Sequence, residues 1–218
     1  MRGLRAAPGT IHGLLPVVLL LGSVVSARAA QAVVTVTDDQ GAPIEHAVVS
    51  LTSPDPALNG PPGKGAVAVM AQQDKQFVPH VLPVRVGTTV SFPNHDDFRH
   101  QVYSFSPAKT FQISLYSGDE DKREVFDKPG VVALGCNIHD TMLGYIYVLE
   151  TGNFAVTGAD GVAVVDGLQP GPYRINVWHP RQRAPLAGQE VTVTADAGVT
   201  ASYTMSLKPP LLLGVPHP

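Results

Sequence analysis

Glycine and proline interrupt this sequence at such short intervals that a fold built from long helices is excluded. The 218 residues include 21 glycines and 20 prolines, and nearly every stretch of a dozen residues contains at least one of them. The residues between these breaks are rich in Val, Thr, Ile, Tyr and Phe, which favour strands over helices. The sequence therefore predicts an all-β chain, and its 44% hydrophobic content is enough for one or two folded domains.

The apolar segments are separated by turn-forming residues such as Asp160-Gly161 and Pro170-Gly171-Pro172. One short helix is predicted at residues 119–126, which include a run of charged residues that would face solvent. Strands are predicted at residues 33–37, 47–51, 84–86, 90–92, 101–105, 131–134, 145–149, 154–156, 162–165, 173–178, 190–193 and 200–207.

The first 29 residues have the features of a secretory signal peptide. Arg2 and Arg5 precede an apolar stretch at residues 14–25, and alanines stand at positions 27 and 29, which a signal peptidase reads. Cleavage is predicted after Ala29, followed by export to a bacterial periplasm. An uncleaved membrane anchor is the alternative, but the apolar stretch is short for a span, and no later stretch is long enough to cross a membrane.

The balance of charges excludes a nucleic-acid-binding protein. Lys and Arg number 15 against 18 Asp and Glu, so there is no excess of positive charge to neutralise a phosphate backbone. We therefore expect no nucleic-acid partner.

The only cysteine, Cys136, is followed by His139 and Met142 in a short loop between the predicted strands 131–134 and 145–149. This loop presents a thiolate, an imidazole and a thioether toward one point. His100, at the head of the predicted strand 101–105, brings a second imidazole to the same end of a β-sandwich. Such a donor set suits copper in a roughly trigonal site with a long axial bond, a geometry that both oxidation states of copper accept. The sequence thus predicts a copper site at His100, Cys136, His139 and Met142.

Other assignments of these side chains stay open. His95 lies in an acidic loop five residues before His100 and competes with it as the second imidazole. His95, His100, Cys136 and His139 also have the ligand count of a closed zinc site, which would leave Met142 without a role. Without a metal, Cys136 would be a small buried side chain. A cysteine-dependent enzyme is not expected, because Cys136 and His139 lie three residues apart in a tight loop without a third group to orient them.

At these residues the sequence resembles the cupredoxins, the blue copper proteins of the plastocyanin and amicyanin type, over residues 66–150. The spacing Cys-x-x-His-x-x-Met carries the resemblance, and Gly130 and Gly144 match the turn positions of the family. The pattern is more closely similar to plastocyanin-like proteins labelled methylamine utilisation proteins. The resemblance implies a Greek-key β-sandwich with His100 as the upstream ligand, Cys136 and His139 as equatorial ligands and Met142 as the axial ligand.

The function implied by this resemblance is that of a periplasmic mononuclear type 1 copper protein. It would carry single electrons between redox partners, such as a dehydrogenase or a cytochrome, with the edge of His139 as the exit, and it would not be an enzyme. Copper binding and delivery is the alternative function. The sequence departs from the family at Gly135, where an aromatic residue is common, and at Gln101, where Asn is preferred. Asn94 is a candidate to supply a hydrogen bond to the ligands instead.

Two further stretches, residues 34–51 and 157–175, resemble the two halves of a carboxypeptidase-regulatory-like, or transthyretin-like, sandwich. The resemblance implies that the copper domain is inserted into this small sandwich through a loop at residues 53–65 that is rich in Pro and Gly. Two consecutive domains are the alternative. The predicted organisation is a signal peptide at 1–29, a split sandwich at 30–53 plus 154–207, a cupredoxin domain at 66–150 and a C-terminal tail at 208–218.

Three other histidines are not predicted to bind the metal. His46 is expected on the surface, His80 as an ordinary strand residue, and His179 at the end of a strand in the second sandwich. Asp140, beside His139, is a candidate to orient the imidazole or to influence the choice of partner.

Overall fold

The computed structural model describes residues 30–118, 122–195 and 197–210, most of which form strands joined by turns. Among these residues there is no α-helix, and a short 3-10 helix, Pro56–Leu58, begins where the Asp55 side chain accepts a hydrogen bond from the N–H of Ala57. The prediction of an all-β chain is confirmed. The strands are β1 (Ala30–Thr37), β2 (Val48–Thr52), β3 (Val67–Val69), β4 (Ala71–Gln73), β5 (Gln76–Val78), β6 (Val81–Arg85), β7 (Thr88–Ser91), β8 (His100–Ser106), β9 (Lys109–Tyr116), β10 (Arg123–Phe126), β11 (Gly130–Gly135), β12 (Leu143–Leu149), β13 (Phe154–Val156), β14 (Val162–Leu168), β15 (Gly171–Trp178), β16 (Gln189–Val193) and β17 (Val199–Thr204).

Strands from both ends of the described chain build one β-sandwich. Its three-stranded sheet has the order β14-β1-β17, and its four-stranded sheet has the order β13-β2-β15-β16. Every second side chain of β1 is buried, as expected for a strand with one face on a core. Val36 of β1, Leu51 of β2 and Ile175 of β15 belong to one hydrophobic cluster, to which both sheets contribute.

The strands in the middle of the chain build a second β-sandwich with its own core. A three-stranded sheet has the order β10-β7-β3, a five-stranded sheet has the order β6-β12-β11-β8-β9, and β4 and β5 form a separate hairpin. The pairings β6-β12 and β11-β8 join strands that lie far apart in the chain, as the crossing connections of a Greek key do. The core of this sandwich contains Phe92, Phe126 and Ile146, together with Cys136 and Met142.

A smaller apolar cluster joins the two sandwiches along β12. Ile146 points into the core of the second sandwich, whereas its neighbours Tyr145 and Tyr147 lie on the opposite face of the sheet. On that face the ring centroid of Tyr147 lies 5.0 Å from that of Trp178 in β15. The first sandwich therefore covers the outer face of the five-stranded sheet at β12.

Each predicted strand overlaps a strand of the structure, but five strands were not predicted. β3, β4 and β5 are only three residues long, as is the predicted strand β13, and a strand of this length gives only a weak hydrophobic period. β9 has apolar residues at alternate positions, Phe111, Ile113 and Leu115, so the sequence carried the signal of a strand there and the prediction missed it. β10 was predicted as part of a helix.

The predicted helix at residues 119–126 is wrong where the structure describes it. Residues 123–126 form β10, which pairs antiparallel with β7. Phe126 is fully buried in the core of the second sandwich, while Arg123 and Val125 are exposed. This alternation buries one face of a strand, and the pairing to β7 satisfies the backbone groups that a helix would have satisfied internally. Residues 119–121 lie outside the described residues.

The predicted signal peptide at residues 1–29 and most of the predicted tail, residues 211–218, also lie outside the described residues. Within the described ranges, no helix has the length and apolar character that a membrane span requires.

Candidate metal centre

The predicted site residues lie at one end of the second sandwich because two antiparallel strands bring them there. β8 begins at His100, and β11 ends one residue before Cys136. These strands pair antiparallel, with Gly135 opposite Tyr103, so the start of β8 and the end of β11 lie side by side. The loop after Cys136 turns back toward β12, and the N–H of Met142 donates to the carbonyl of His139 at 2.9 Å.

His100, Cys136 and His139 form a cluster of possible metal ligands. One donor atom from each residue lies within 4.8 Å of the others. The Sγ atom of Cys136 is 3.7 Å from Nδ1 of His100, and the ring centroids of His100 and His139 are 5.2 Å apart. His100 and Cys136 are 0% and 2% exposed, and His139 is half-buried. The three donors thus converge, and two of them, those of His100 and Cys136, are shielded from bulk water.

The surroundings of the Nδ1 atom of His139 are those expected of a metal ligand. This atom is buried and has no hydrogen-bond partner among the described residues, although an unpaired buried polar group costs about 1–3 kcal/mol. Coordination of an ion by Nδ1 would remove that cost. Two imidazole nitrogens and a thiolate are soft-to-borderline donors, and such a His-Cys-His set suits copper. The residues present therefore fit copper.

Met142 and His95 occupy different environments. Met142, three residues beyond His139 in the loop, is 2% exposed and packs in the same core as Cys136. His95 is exposed on the loop before β8 and is not part of the three-residue cluster. The structure thus brings His100, rather than His95, next to Cys136.

The side of the His100 ring that faces away from Cys136 contacts a carboxylate that the sequence analysis did not assign. Nε2 of His100 lies 2.7 Å from Oδ2 of Asp96, whose side chain is 9% exposed. Burial alone would raise the pKa of Asp96, but hydrogen bonds from His100 and from the N–H groups of Lys75 and Asp74 outweigh it and hold that pKa below its usual value. The only sequence feature that could have indicated this contact is the spacing of four residues between Asp96 and His100.

Phe98 is a second residue of the site that sequence reasoning missed. Its ring centroid lies 5.0 Å from that of His100 and 5.3 Å from that of His139. Phe98 is 39% exposed, and Nζ of Lys75 is 5.6 Å from its ring centroid. The phenyl ring therefore lies against both imidazoles on the side that faces solvent.

Asn94 contacts backbone groups of the loop. Its side chain, 2% exposed, donates to the carbonyls of Phe98 at 2.8 Å and Tyr116 at 3.1 Å, and it accepts from the N–H of Asp96 at 3.0 Å. These are the side-chain hydrogen bonds of Asn94 found among the described residues. Asn94 thus shapes the loop that carries Asp96 and Phe98, and the predicted bond from Asn94 to a ligand is not among them.

His46, His80 and His179 lie away from the donor cluster, near the contact between the two sandwiches. The ring centroids of His46 and His80 are 5.7 Å apart, and the ring of His80 lies 5.6 Å from that of Tyr145. The pKa of His179 is lowered to about 4, mainly by burial. The positive charges of Arg181, His46 and His80 lower it further. His179 is therefore a buried neutral histidine, and its Nδ1 accepts a hydrogen bond from the N–H of Arg181.

Comparison with known proteins finds no matching family model and no matching curated protein. Several solved structures are similar over part of the chain. A copper-containing nitrite reductase from Thermus scotoductus SA-01 is 32% identical, with a TM-score of 0.37, and the match covers 45% of this chain and 27% of the reductase. The chain therefore spans about a quarter of the length of that protein.

Two smaller proteins match almost over their full length. A purple cupredoxin from Nitrosopumilus maritimus is 23% identical with a TM-score of 0.34, covering 38% of this chain and 99% of its own. A point mutant of amicyanin in its reduced state is 19% identical with a TM-score of 0.36, covering 46% of this chain and 99% of its own. All three TM-scores are below 0.5.

Proposed function

We propose that this protein holds one copper ion with His100, Cys136 and His139, with Met142 as a fourth and weaker ligand, and that it transfers single electrons between redox proteins. The observation that carries the proposal is the convergence of two imidazole donors and one thiol sulfur within 4.8 Å, with Nδ1 of His139 buried and unpaired among the described residues. Copper bound there would supply a one-electron couple.

The surroundings of the donors favour electron transfer over catalysis. His100 and Cys136 are buried, and the rings of Phe98 and His139 lie between them and solvent. A cavity of about 470 Å³ does occur nearby, but His80, Tyr145 and Leu143 are among the residues that line it, and the three donor residues are not. An electron can leave through the half-buried ring of His139, whereas a substrate would need an open coordination position with room beside it.

The location and partners of the protein are proposed from the sequence. The features of residues 1–29 support export to the periplasm. Partners would be small redox proteins, a dehydrogenase or a cytochrome, that meet the end of the sandwich carrying His139 in short-lived encounters. The relation to methylamine utilisation proteins stays a prediction.

The domain organisation is also a proposal. The two separate hydrophobic cores support a split transthyretin-like sandwich at 30–53 plus 154–207 with a cupredoxin domain at 66–150 inserted into it. Both ends of the insert leave from neighbouring strands of the first sandwich, because β13 pairs with β2. An insertion at such a position leaves the first sandwich with continuous sheets.

The test is the visible spectrum of the copper-loaded protein. An intense thiolate-to-copper band is expected, and Cys136→Ser should abolish it because the hydroxyl group is a poor ligand for copper. His100→Asn should strongly weaken the band, whereas His95→Asn, a matched change in the exposed loop histidine, should leave it unchanged. A colourless copper complex of the wild-type protein would overturn the proposal.

Copper delivery is the second candidate function. It requires an ion that is released readily, whereas the buried ring of His100 is held on its far side by Asp96. This contact favours retention of the metal. Reversible one-electron voltammetry with slow copper loss supports electron transfer, and rapid transfer of Cu(I) to a chelating acceptor supports delivery.

A further inference from the structure

The Asp96 carboxylate links the proposed ligand His100 to a hairpin that contributes no ligand of its own. The hairpin of β4 and β5 turns at Asp74 and Lys75, both of which have positive φ angles of 53° and 59°. The N–H of Asp74 donates to Oδ1 of Asp96 at 2.7 Å, and the N–H of Lys75 donates to Oδ2 at 3.0 Å. Oδ2 is also the atom that lies 2.7 Å from Nε2 of His100.

This arrangement determines which nitrogen of His100 carries the proton. An ionised carboxylate only accepts hydrogen bonds, so Nε2 has to be the protonated nitrogen of the neutral ring. The lone pair is then on Nδ1, which faces Sγ of Cys136 at 3.7 Å. The contact with Asp96 therefore leaves Nδ1 of His100, on the side that faces Cys136, with the lone pair that binding to a metal ion requires.

The position of Asp96 is fixed from several directions. Its own N–H donates to Oδ1 of Asn94, whose side chain is buried and donates in turn to the carbonyl of Tyr116 in β9. Together with the two bonds from the hairpin turn, these contacts hold the carboxylate without help from His100. A carboxylate placed in advance can orient the ring before any metal binds.

We propose, on the basis of the proposed copper function, that Asp96 is a positioning residue that tunes the site. It holds His100 as an Nδ1 donor, and its negative charge, one imidazole away from the ion, favours Cu(II) over Cu(I) and lowers the reduction potential. A carboxylate hydrogen-bonded to a ligand histidine raises the basicity of the ring. Because the Asp96 side chain is only 9% exposed, its charge is weakly screened by solvent.

The reduction potential of Asp96→Asn separates this role from a purely structural one. The variant keeps the size of the side chain and removes the charge, so the ratio of Cu(II) to Cu(I) affinity should fall about tenfold, which raises the potential of a one-electron couple by about 59 mV. Asp97→Asn is the matched control, because Asp97 is exposed and adjacent in sequence and loses the same formal charge. Its shift should be less than about a third as large. Equal shifts in the two variants, or no shift in Asp96→Asn, would overturn the proposal.

A second measurement does not depend on copper or on the folding of a variant. Nitrogen-15 NMR of the metal-free wild-type protein should find the His100 ring protonated at Nε2, with that proton protected from exchange. Protonation at Nδ1 would overturn the proposal. If the wild-type copper complex lacks the thiolate band, the proposed function and the tuning of potential fail together, while an Nε2–H ring would still establish Asp96 as the residue that orients His100.

Discussion

The phenol ring of Tyr103 in β8 lies directly over Gly135 in β11, the residue that precedes Cys136. A Cβ atom at Gly135 would come within 2.6 Å of Cζ of Tyr103. The Tyr103 ring thus occupies the space in which a side chain at position 135 would lie. This explains why position 135 is a glycine, although the family that the sequence resembles commonly has an aromatic residue there.

Replacing Gly135 by alanine should therefore destabilise the protein and disturb the site. Either the Tyr103 ring or the end of β11 must move, and overpacking of this kind costs about 1–3 kcal/mol. Chemical denaturation measures this loss, and the copper band should shift because Cys136 follows directly. Gly152→Ala is the control, since a Cβ there meets its nearest atoms at 3.6 Å. An equal loss in both variants would contradict the explanation.

Met142→Leu should change the reduction potential more than the stability. Leucine fills nearly the same buried volume, so the free energy of unfolding should fall by less than about 1.5 kcal/mol. Loss of the thioether removes the proposed axial donor, and because the axial ligand tunes the potential of such a copper site, the potential should change. Met70→Leu provides the comparison, because Met70 is fully buried in the same core but is not a proposed ligand. A potential unchanged in Met142→Leu would remove Met142 from the ligand set.

Acidification should destabilise the metal-free protein between about pH 6.5 and pH 4. The pKa of His179 is lowered from 6.5 to about 4, and that of His80 is lowered as well. The unfolded chain therefore takes up protons that the folded chain refuses, so the free energy of unfolding falls as the pH falls through this window. The pKa of Asp96 is also lowered, but that contribution is lost only at more acidic pH.

Urea denaturation at several pH values measures this dependence. His179→Gln, which cannot be protonated, should have a shallower slope than the wild-type protein between pH 6.5 and pH 4. Identical slopes would mean that His179 is not the group that titrates.

Phe98→Ala should speed the loss of copper to a chelator. The ring lies against both His100 and His139 and separates them from solvent, and the apolar surroundings of a metal site control access to it. We expect release to be at least about threefold faster. Phe105→Ala, which removes a more exposed ring that contacts Tyr103, should release copper at the wild-type rate, and equal acceleration in both would contradict the role of Phe98.

Local patterns in the sequence were sufficient for most of the strands and for the candidate ligands of one loop. Alternation of apolar residues predicts β1 and β15 because each has one face on a core. A continuous apolar run at 145–149 predicts β12, both faces of which are covered. Cys136, His139 and Met142 are close in the chain, so a single loop brings them together wherever the fold places it. The strands β3, β4 and β5 hold too few residues for such a pattern to be distinctive, whereas the alternation of Phe111, Ile113 and Leu115 in β9 was present and was missed.

The sequence by itself determined the all-β class, since frequent Gly and Pro leave only short segments that can pair as strands, and it determined the types of donor atom. Only the tertiary structure decided that His100 rather than His95 lies beside Cys136, that Asp96 contacts the far side of His100, and that Tyr103 fills the space above Gly135. The physical reason is that each of these contacts joins residues across strand pairings or between a loop and a hairpin turn. Their register is fixed by the whole set of backbone hydrogen bonds and by the packing of a shared core, neither of which is encoded in any short stretch of chain.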